Sequence, residues 1–156
     1  MPATNQTLEN LTLTINQEIH VQASLDVTFA ALLEQLGPGN ETPDGKSLNM
    51  KIEPWPGGRW YRDLGNNSGH LWGHVQVIKP PTLLEICGPL MMSHPALNHL
   101  QYRLTSVGGA TRLVFLHRAL GLILPEHRDG LPKGWEYWLE HIRELAERKN
   151  RKETPR

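Results

Sequence analysis

The side chains of this chain best suited to moving protons are His94, His99, His117 and Glu85. An imidazole titrates near neutrality, and beside a carboxylate it can act as general base or general acid. No spacing in the sequence forces these four together, so a shared site depends on the fold. His117 is the best single polar candidate, either touching a ligand or held by a backbone carbonyl at a strand end. Metal chemistry finds less support. His70 and His74 stand four apart on an extended segment, roughly 13 Å at about 3.3 Å per residue, too far to share an ion with bonds near 2 Å. Both read as surface or cross-strand residues, and no metal is expected. The single Cys87 lies among apolar strand residues and reads as an inert buried thiol. The sequence has no G-x-S-x-G elbow, no Walker loop, no dinucleotide-binding glycine motif after its first strand and no H-E-x-x-H. No cofactor is expected, and the balance lies against an enzyme.

A second set of residues is suited to enclosing a molecule. In "LNHLQYRLTS" Leu100, Tyr102 and Leu104 alternate with His99, Gln101 and Arg103, and the apolar set should face inward. On the next strand Thr111, Leu113, Phe115 and His117 share one parity, opposed by Arg112 and Arg118. Near the C-terminus Trp135, Trp138, Leu139, Ile142, Leu145 and Ala146 form one stripe at helical spacing. Leu90, Met91 and Met92, between Pro89 and Pro95, suit either the mouth of an apolar cavity or a buried strand end. Trp55 and Trp60, around "PGGRW", could roof a pocket or pack in the core. The candidate ligand-binding residues are therefore Trp55, Trp60, Met91, Met92, Leu100, Tyr102, Phe115, His117, Trp135, Trp138 and Leu139. Arg59 could orient a ligand, although Arg59, Arg62 and Asp63 also read as solvated charges.

These residues need a scaffold. The chain has 156 residues, about the modal size of one domain. One domain is expected over 8–149, with flexible ends at 1–7 and 150–156. Leu11, Leu13, Ile15, Ile19 and Val21 alternate as in a half-buried strand. Ser24 can cap a short helix whose Phe29, Leu32, Leu33 and Leu36 share a face and which Gly37 and Pro38 end. "LNMKIEP", "GGRWYRDL", "HLWGHVQVI" and "LLEICG" then read as short strands, and Gly108–Gly109 joins two longer ones as a hairpin. The sum is an α+β domain: a curved antiparallel sheet of about seven strands (six is the alternative), one or two short helices after the first strand, and a long C-terminal helix. Two details are harder. If Leu71, Gly73, Val75 and Val77 face the core, then His70, Trp72 and His74 lie on the convex surface, with a bulge near "VQVI". Pro132 should break the last helix, leaving a turn over 125–129 and a main helix from about 132.

The formal charge is zero, with 16 Lys plus Arg against 16 Asp plus Glu, so nothing in the composition gathers nucleic acid. No apolar run approaches the roughly 18 residues that span a bilayer, and the polar start lacks the apolar core of a secretory signal, so a cytoplasmic location is expected.

The stretches "EPWPGGRWYRDLG", "GHVQVIKPPTLLEI", "GGATRLVFLHRALG" and "GWEYWLEHI" resemble the motifs of the SRPBCC, or START-like helix-grip, superfamily. Within it they are most similar to the branch named after the activator of the 90-kDa heat-shock protein ATPase. The likeness covers about 19–148 and implies a cavity between sheet and long helix. The superfamily includes lipid carriers, polyketide cyclases and hormone receptors, and a shared fold does not carry a shared function. Three readings follow: a carrier of a small hydrophobic molecule (lipid, aromatic or polyketide-like); a cyclase or hydratase using cavity histidines; and a chaperone-associated interaction module, which needs an exposed apolar patch. A homodimer is open under all three.

Overall fold

A computed structural model describes residues 7–153. A single 3-10 turn, Leu8–Leu11, leads into β1 (Thr12–Val21), and α1 (Leu25–Leu36) follows. The strands β2 (Met50–Ile52), β3 (Arg59–Gly65), β4 (Ser68–Lys79), β5 (Leu83–Gly88), β6 (Ala96–Val107) and β7 (Ala110–Gly121) come next, then α2 (Pro125–Glu153). All seven strands form one antiparallel sheet in the order β1-β7-β6-β5-β4-β3-β2. Each strand from β2 to β7 pairs with its sequence neighbour. The order closes when β1 returns to pair with β7, so that β1 and α1 stand beside the end of the meander. Of the ends read as flexible from the sequence, residues 1–6 and 154–156 lie outside the described residues, while 150–153 continue α2.

The local signals behave as their chemistry requires. Ser24 caps α1, its hydroxyl accepting from the Val27 amide, and Gly37 ends it. The alternation on β6 and β7 holds: Leu100, Tyr102, Leu104, Leu113, Phe115 and His117 are all buried. Helix α2 lies across this face, burying Leu131, Trp135, Leu139, Ile142 and Ala146. "PGGRW" is structural, as its glycines suggested. Gly57 has φ +84°, and a Cβ on Gly58 would stand 1.9 Å from the Glu53 carbonyl oxygen.

Two expectations are corrected. Helix α2 is not broken at Pro132; it runs unbroken from Pro125. A proline there removes one backbone donor and crowds the preceding turn, at a cost of about 3 kcal/mol. Tertiary contacts hold the first two turns against that cost. The Arg128 guanidinium donates to Thr12 O (3.0 Å) and Asn10 O (3.2 Å), Leu131 enters the core, and the Pro132 carbonyl accepts from Gln17 Nε2 at 2.7 Å.

The second correction concerns Trp72, which faces inward and is 5% exposed. In the β3–β4 ladder Trp60 pairs with Gly73 and Tyr61 with Leu71, so Trp72 is an extra residue on β4. A bulge of this kind lets two consecutive residues oppose one and turns a side chain onto the other face. The irregularity expected at "VQVI" is present as well, between Val75 and Val77 against β5. Close backbone approach accompanies the first bulge: a Cβ on Gly88 would lie 2.4 Å from Gly73 Cα and 2.5 Å from Trp72 O. Because both neighbours are backbone, Gly88→Ala must part β4 from β5. It should cost at least about 2 kcal/mol in urea denaturation; a midpoint equal to that of the parent would show that the strands separate freely.

Candidate functional site

The interior between sheet and α2 is built around tryptophan. Trp60 meets Trp72 edge-on with ring centroids 5.1 Å apart, and Trp72 stacks nearly parallel on Trp138 at 6.0 Å and 12°. Trp138 meets Trp135 at 5.3 Å, and Phe115 connects Trp135 to Tyr102 with 4.9 Å on either side. The helix thus inserts a pair of rings between two pairs from the sheet: Trp135 and Trp138 lie between Trp60 with Trp72 and Phe115 with Tyr102. Each ring is there because its strand or helix parity points inward, and for Trp72 because of the bulge. Burial drives the Tyr102 phenol far above its usual titration range, so its hydroxyl stays neutral.

His117 sits at the centre of a polar path through this interior. Indole N–H groups only donate, so the Trp135 Nε1–H donates to His117 Nδ1 at 3.0 Å. That fixes the other imidazole nitrogen as the protonated one, and His117 Nε2–H donates to Asn98 Oδ1 at 2.7 Å. Asn98 Nδ2 in turn donates to the Gly88 and Pro89 carbonyls, both at 3.2 Å, and lies 3.6 Å from Met92 Sδ. His117 and Asn98 are fully buried. Loss of solvent disfavours the imidazolium and lowers the His117 pKa from 6.5 to about 4. With both ring nitrogens engaged and the neutral form favoured, His117 is held as a structural hydrogen-bonding centre.

The three candidate catalytic histidines do not assemble. His99 points to the convex face, where its Nε2 is 3.6 Å from Glu85, the carboxylate the sequence offered it. His94 stacks on His127, ring centroids 5.4 Å apart, at the start of α2. His117 is inside with Trp135 and Asn98. The strand alternation that buries Leu100 puts its neighbour His99 on the opposite face of the sheet from His117, so no proton could pass between them directly.

Of the candidate ligand-contacting residues, Trp60, Met92, Leu100, Tyr102, Phe115, His117, Trp135 and Leu139 are buried together. Met91 and Trp138 pack against that core half-buried, and Trp55 stands apart at 54% exposure in the turn before β3. Arg59 is engaged by Glu53, which accepts from both its side chain and its backbone N–H and whose carboxyl is thereby held down at about 2. Arg59 also lies over the Tyr61 ring. Lys51 pairs with Asp63 at 2.8 Å. These charges are satisfied on the outside of the sheet and do not orient anything within. Among the described residues no cluster of three or more His, Cys, Asp or Glu could hold a metal, and no helix is long and apolar enough to cross a membrane.

Sequence reading missed two members of this interior. Asn98 shares the parity of Leu100 and could have been found as the polar residue of an inward set. Trp72 could not, because strict alternation fails at a bulge.

Fold and interior together define a helix-grip protein with an aromatic core. No family model and no curated protein matches the sequence. Solved structures do. The chain is similar to an uncharacterised protein from Rhizobium leguminosarum, with a TM-score of 0.69 at 18% identity over 88% of this chain and 95% of that one. It is similar to a protein of unknown function from Staphylococcus aureus, at TM-score 0.67 and 12% identity over 93% of this chain and 99% of that one. The di-domain ARO/CYC StfQ of the steffimycin biosynthetic pathway matches at TM-score 0.65 and 12% identity, over 93% of this chain but 52% of that protein. At these identities the likeness establishes the fold alone.

Proposed function

We propose that this protein binds a small, flat, hydrophobic molecule in the grip between the sheet and α2. One observation carries the reading: four of the five tryptophans, from both jaws, converge on one cluster beside adaptable methionines. An interior needed only for stability can be built from aliphatic side chains. Large, polarisable rings that meet from opposite elements suit an aromatic guest, which can replace one ring contact with another. The aromatase/cyclase named among the structural neighbours agrees with such a guest class, and the four sequence motifs support a place near the activator-homologue branch. The rings pack on one another, so entry of a guest requires α2 or the Pro89–Met92 segment to move. Carriage is preferred to catalysis because, among the described residues, the hydrogen-bond partners of His117 are Trp135 and Asn98, neither of which titrates.

Equilibration with a mixed pool of lipids, aromatics and polyketides, followed by native mass spectrometry, should retain one aromatic class. Trp138→Ala should weaken that retention about tenfold while the protein stays folded, because Trp138 is only half-buried. Retention of no class, or of all classes equally, would overturn the proposal.

A second reading, association with a protein partner or a second copy, draws on Leu97 and Leu120. These are cross-strand partners, 57% and 53% exposed, and Leu122 and Leu124 extend the strip. Sedimentation of the parent and of Leu120→Lys should differ if this strip is an interface. Identical monomeric profiles would exclude self-association through it.

A further inference from the structure

Gln35 and Asn40 are each 1% exposed, yet both the nitrogen and the oxygen of each carboxamide lack a hydrogen-bond partner among the described residues. Exchanging amide nitrogen and oxygen cannot repair this, because both ends are bare. Thr28, two turns earlier on the same face of α1, is fully buried and its hydroxyl is equally unpartnered. Buried polar groups are nearly always bonded, and one left bare loses its hydration without replacement. Such groups, buried and bare, mark a place where something else supplies the bonds.

The surroundings of the two amides define that place. Next to Gln35, the Leu36 carbonyl accepts from Trp60 Nε1 at 2.8 Å. Just beyond Asn40, Glu41 pairs with His141 at 3.1 Å and the Thr42 carbonyl accepts from the Tyr137 hydroxyl at 3.5 Å. The C-terminal end of α1 is thereby held between Trp60 on the sheet and Tyr137 and His141 on α2. Trp60 is in ring contact with both Trp72 and Trp138, and Trp72 Nε1 is a further buried donor without a partner.

We infer that Gln35 and Asn40 recognise the polar end of the bound molecule, and that this molecule is an uncharged aromatic or polycyclic compound carrying hydroxyl groups. The inference rests on the reading of the grip as a ligand site and names its polar end. The charge state follows from hydrogen-bond inventory. The two carboxamides present donors and acceptors in equal number, and a hydroxyl can answer both. A carboxylate only accepts and would leave the two amide oxygens bare; an ammonium only donates and would leave the nitrogens bare. A full charge would also lose its hydration against amide dipoles alone. The aromatic body follows from Trp60, whose indole bonds the Leu36 carbonyl next to Gln35, and from Trp72 and Trp138 in ring contact with it.

The test uses three probes of one shape: naphthalene, naphthalene-2,7-diol and 2-naphthoate, titrated by quenching of tryptophan fluorescence. The diol should bind about tenfold or more tightly than naphthalene, and naphthoate no better than naphthalene. Gln35→Leu and Asn40→Leu should each remove most of the diol's advantage over naphthalene. Gln35→Leu should also raise the urea midpoint of the unliganded protein, since it deletes buried polar atoms that have no partner. Equal binding of naphthalene and diol, or a diol preference that survives both substitutions, overturns the inference while leaving the hydrophobic site intact. Preferred binding of naphthoate, lost in Arg62→Gln, overturns it in favour of an acidic ligand, because Arg62 Nε is the buried, unpartnered cationic donor of β3. Failure of naphthalene and diol alike removes the ligand site itself.

Discussion

Trp135→Ala should leave the protein barely folded, with a loss of about 3–5 kcal/mol in chemical denaturation. A typical domain holds only about 5–15 kcal/mol in all. Trp135 is 2% exposed and touches Phe115, Trp138 and His117, so its removal leaves a large void between sheet and helix. It also removes the donor to His117 Nδ1, so a buried acceptor is left bare. Trp135→Phe separates the two effects. It keeps most of the volume and loses the N–H, and it should cost about 1–3 kcal/mol. A loss within about 1 kcal/mol for the alanine variant would mean that α2 does not grip the sheet through this residue.

That Trp135 would face Phe115 and His117 was legible in the sequence, because the stripe on α2 and the alternation on β6 and β7 are uninterrupted. Where a period runs clean, burial decides it and parity reveals it. Trp72 was not legible, since its direction is set by the pairing of β4 with β3, a relation between distant residues. Pro132 misled for a similar reason: its local cost is real, but Arg128 and Leu131 hold the preceding turns from outside the helix. The candidate site divides along the same line. The apolar wall follows from alternation, whereas the bare amides of Gln35 and Asn40 become visible only when their surroundings are known.

Acid should weaken the fold through His117. Its folded pKa lies near 4, below the ordinary 6.5 that the unfolded chain would show. Between these values the unfolded chain takes up a proton that the folded protein refuses. Stability therefore rises with pH across this window, is fully present above about 6.5, and is lost as pH falls toward 4. The full shift corresponds to about 3 kcal/mol. Urea denaturation of the parent at pH 7 and pH 4.5 should show this loss over and above that of His117→Gln, in which only the carboxylates and other histidines still titrate. Glutamine can accept from the Trp135 indole and donate to Asn98, so the variant should fold. Equal losses in the two proteins would mean that His117 charges freely in the fold.

The two irregularities of β4 cancel. Inward positions run His70, Trp72, then Val75, then Ile78, so the strand changes phase once at the first slip and recovers it at the second. It enters and leaves the sheet in step, and only its middle is inverted. Each slip is one residue in excess of the partner strand, Trp72 against β3 and Gln76 against β5. Removing a single residue at either slip would restore plain pairing there and leave the later side chains of β4 on their present faces. Removing one where the pairing is already regular would instead carry the residues beyond it to the wrong face. The middle of β4 is therefore the part of the strand that can shorten, at the cost of the tryptophan if the residue lost is Trp72.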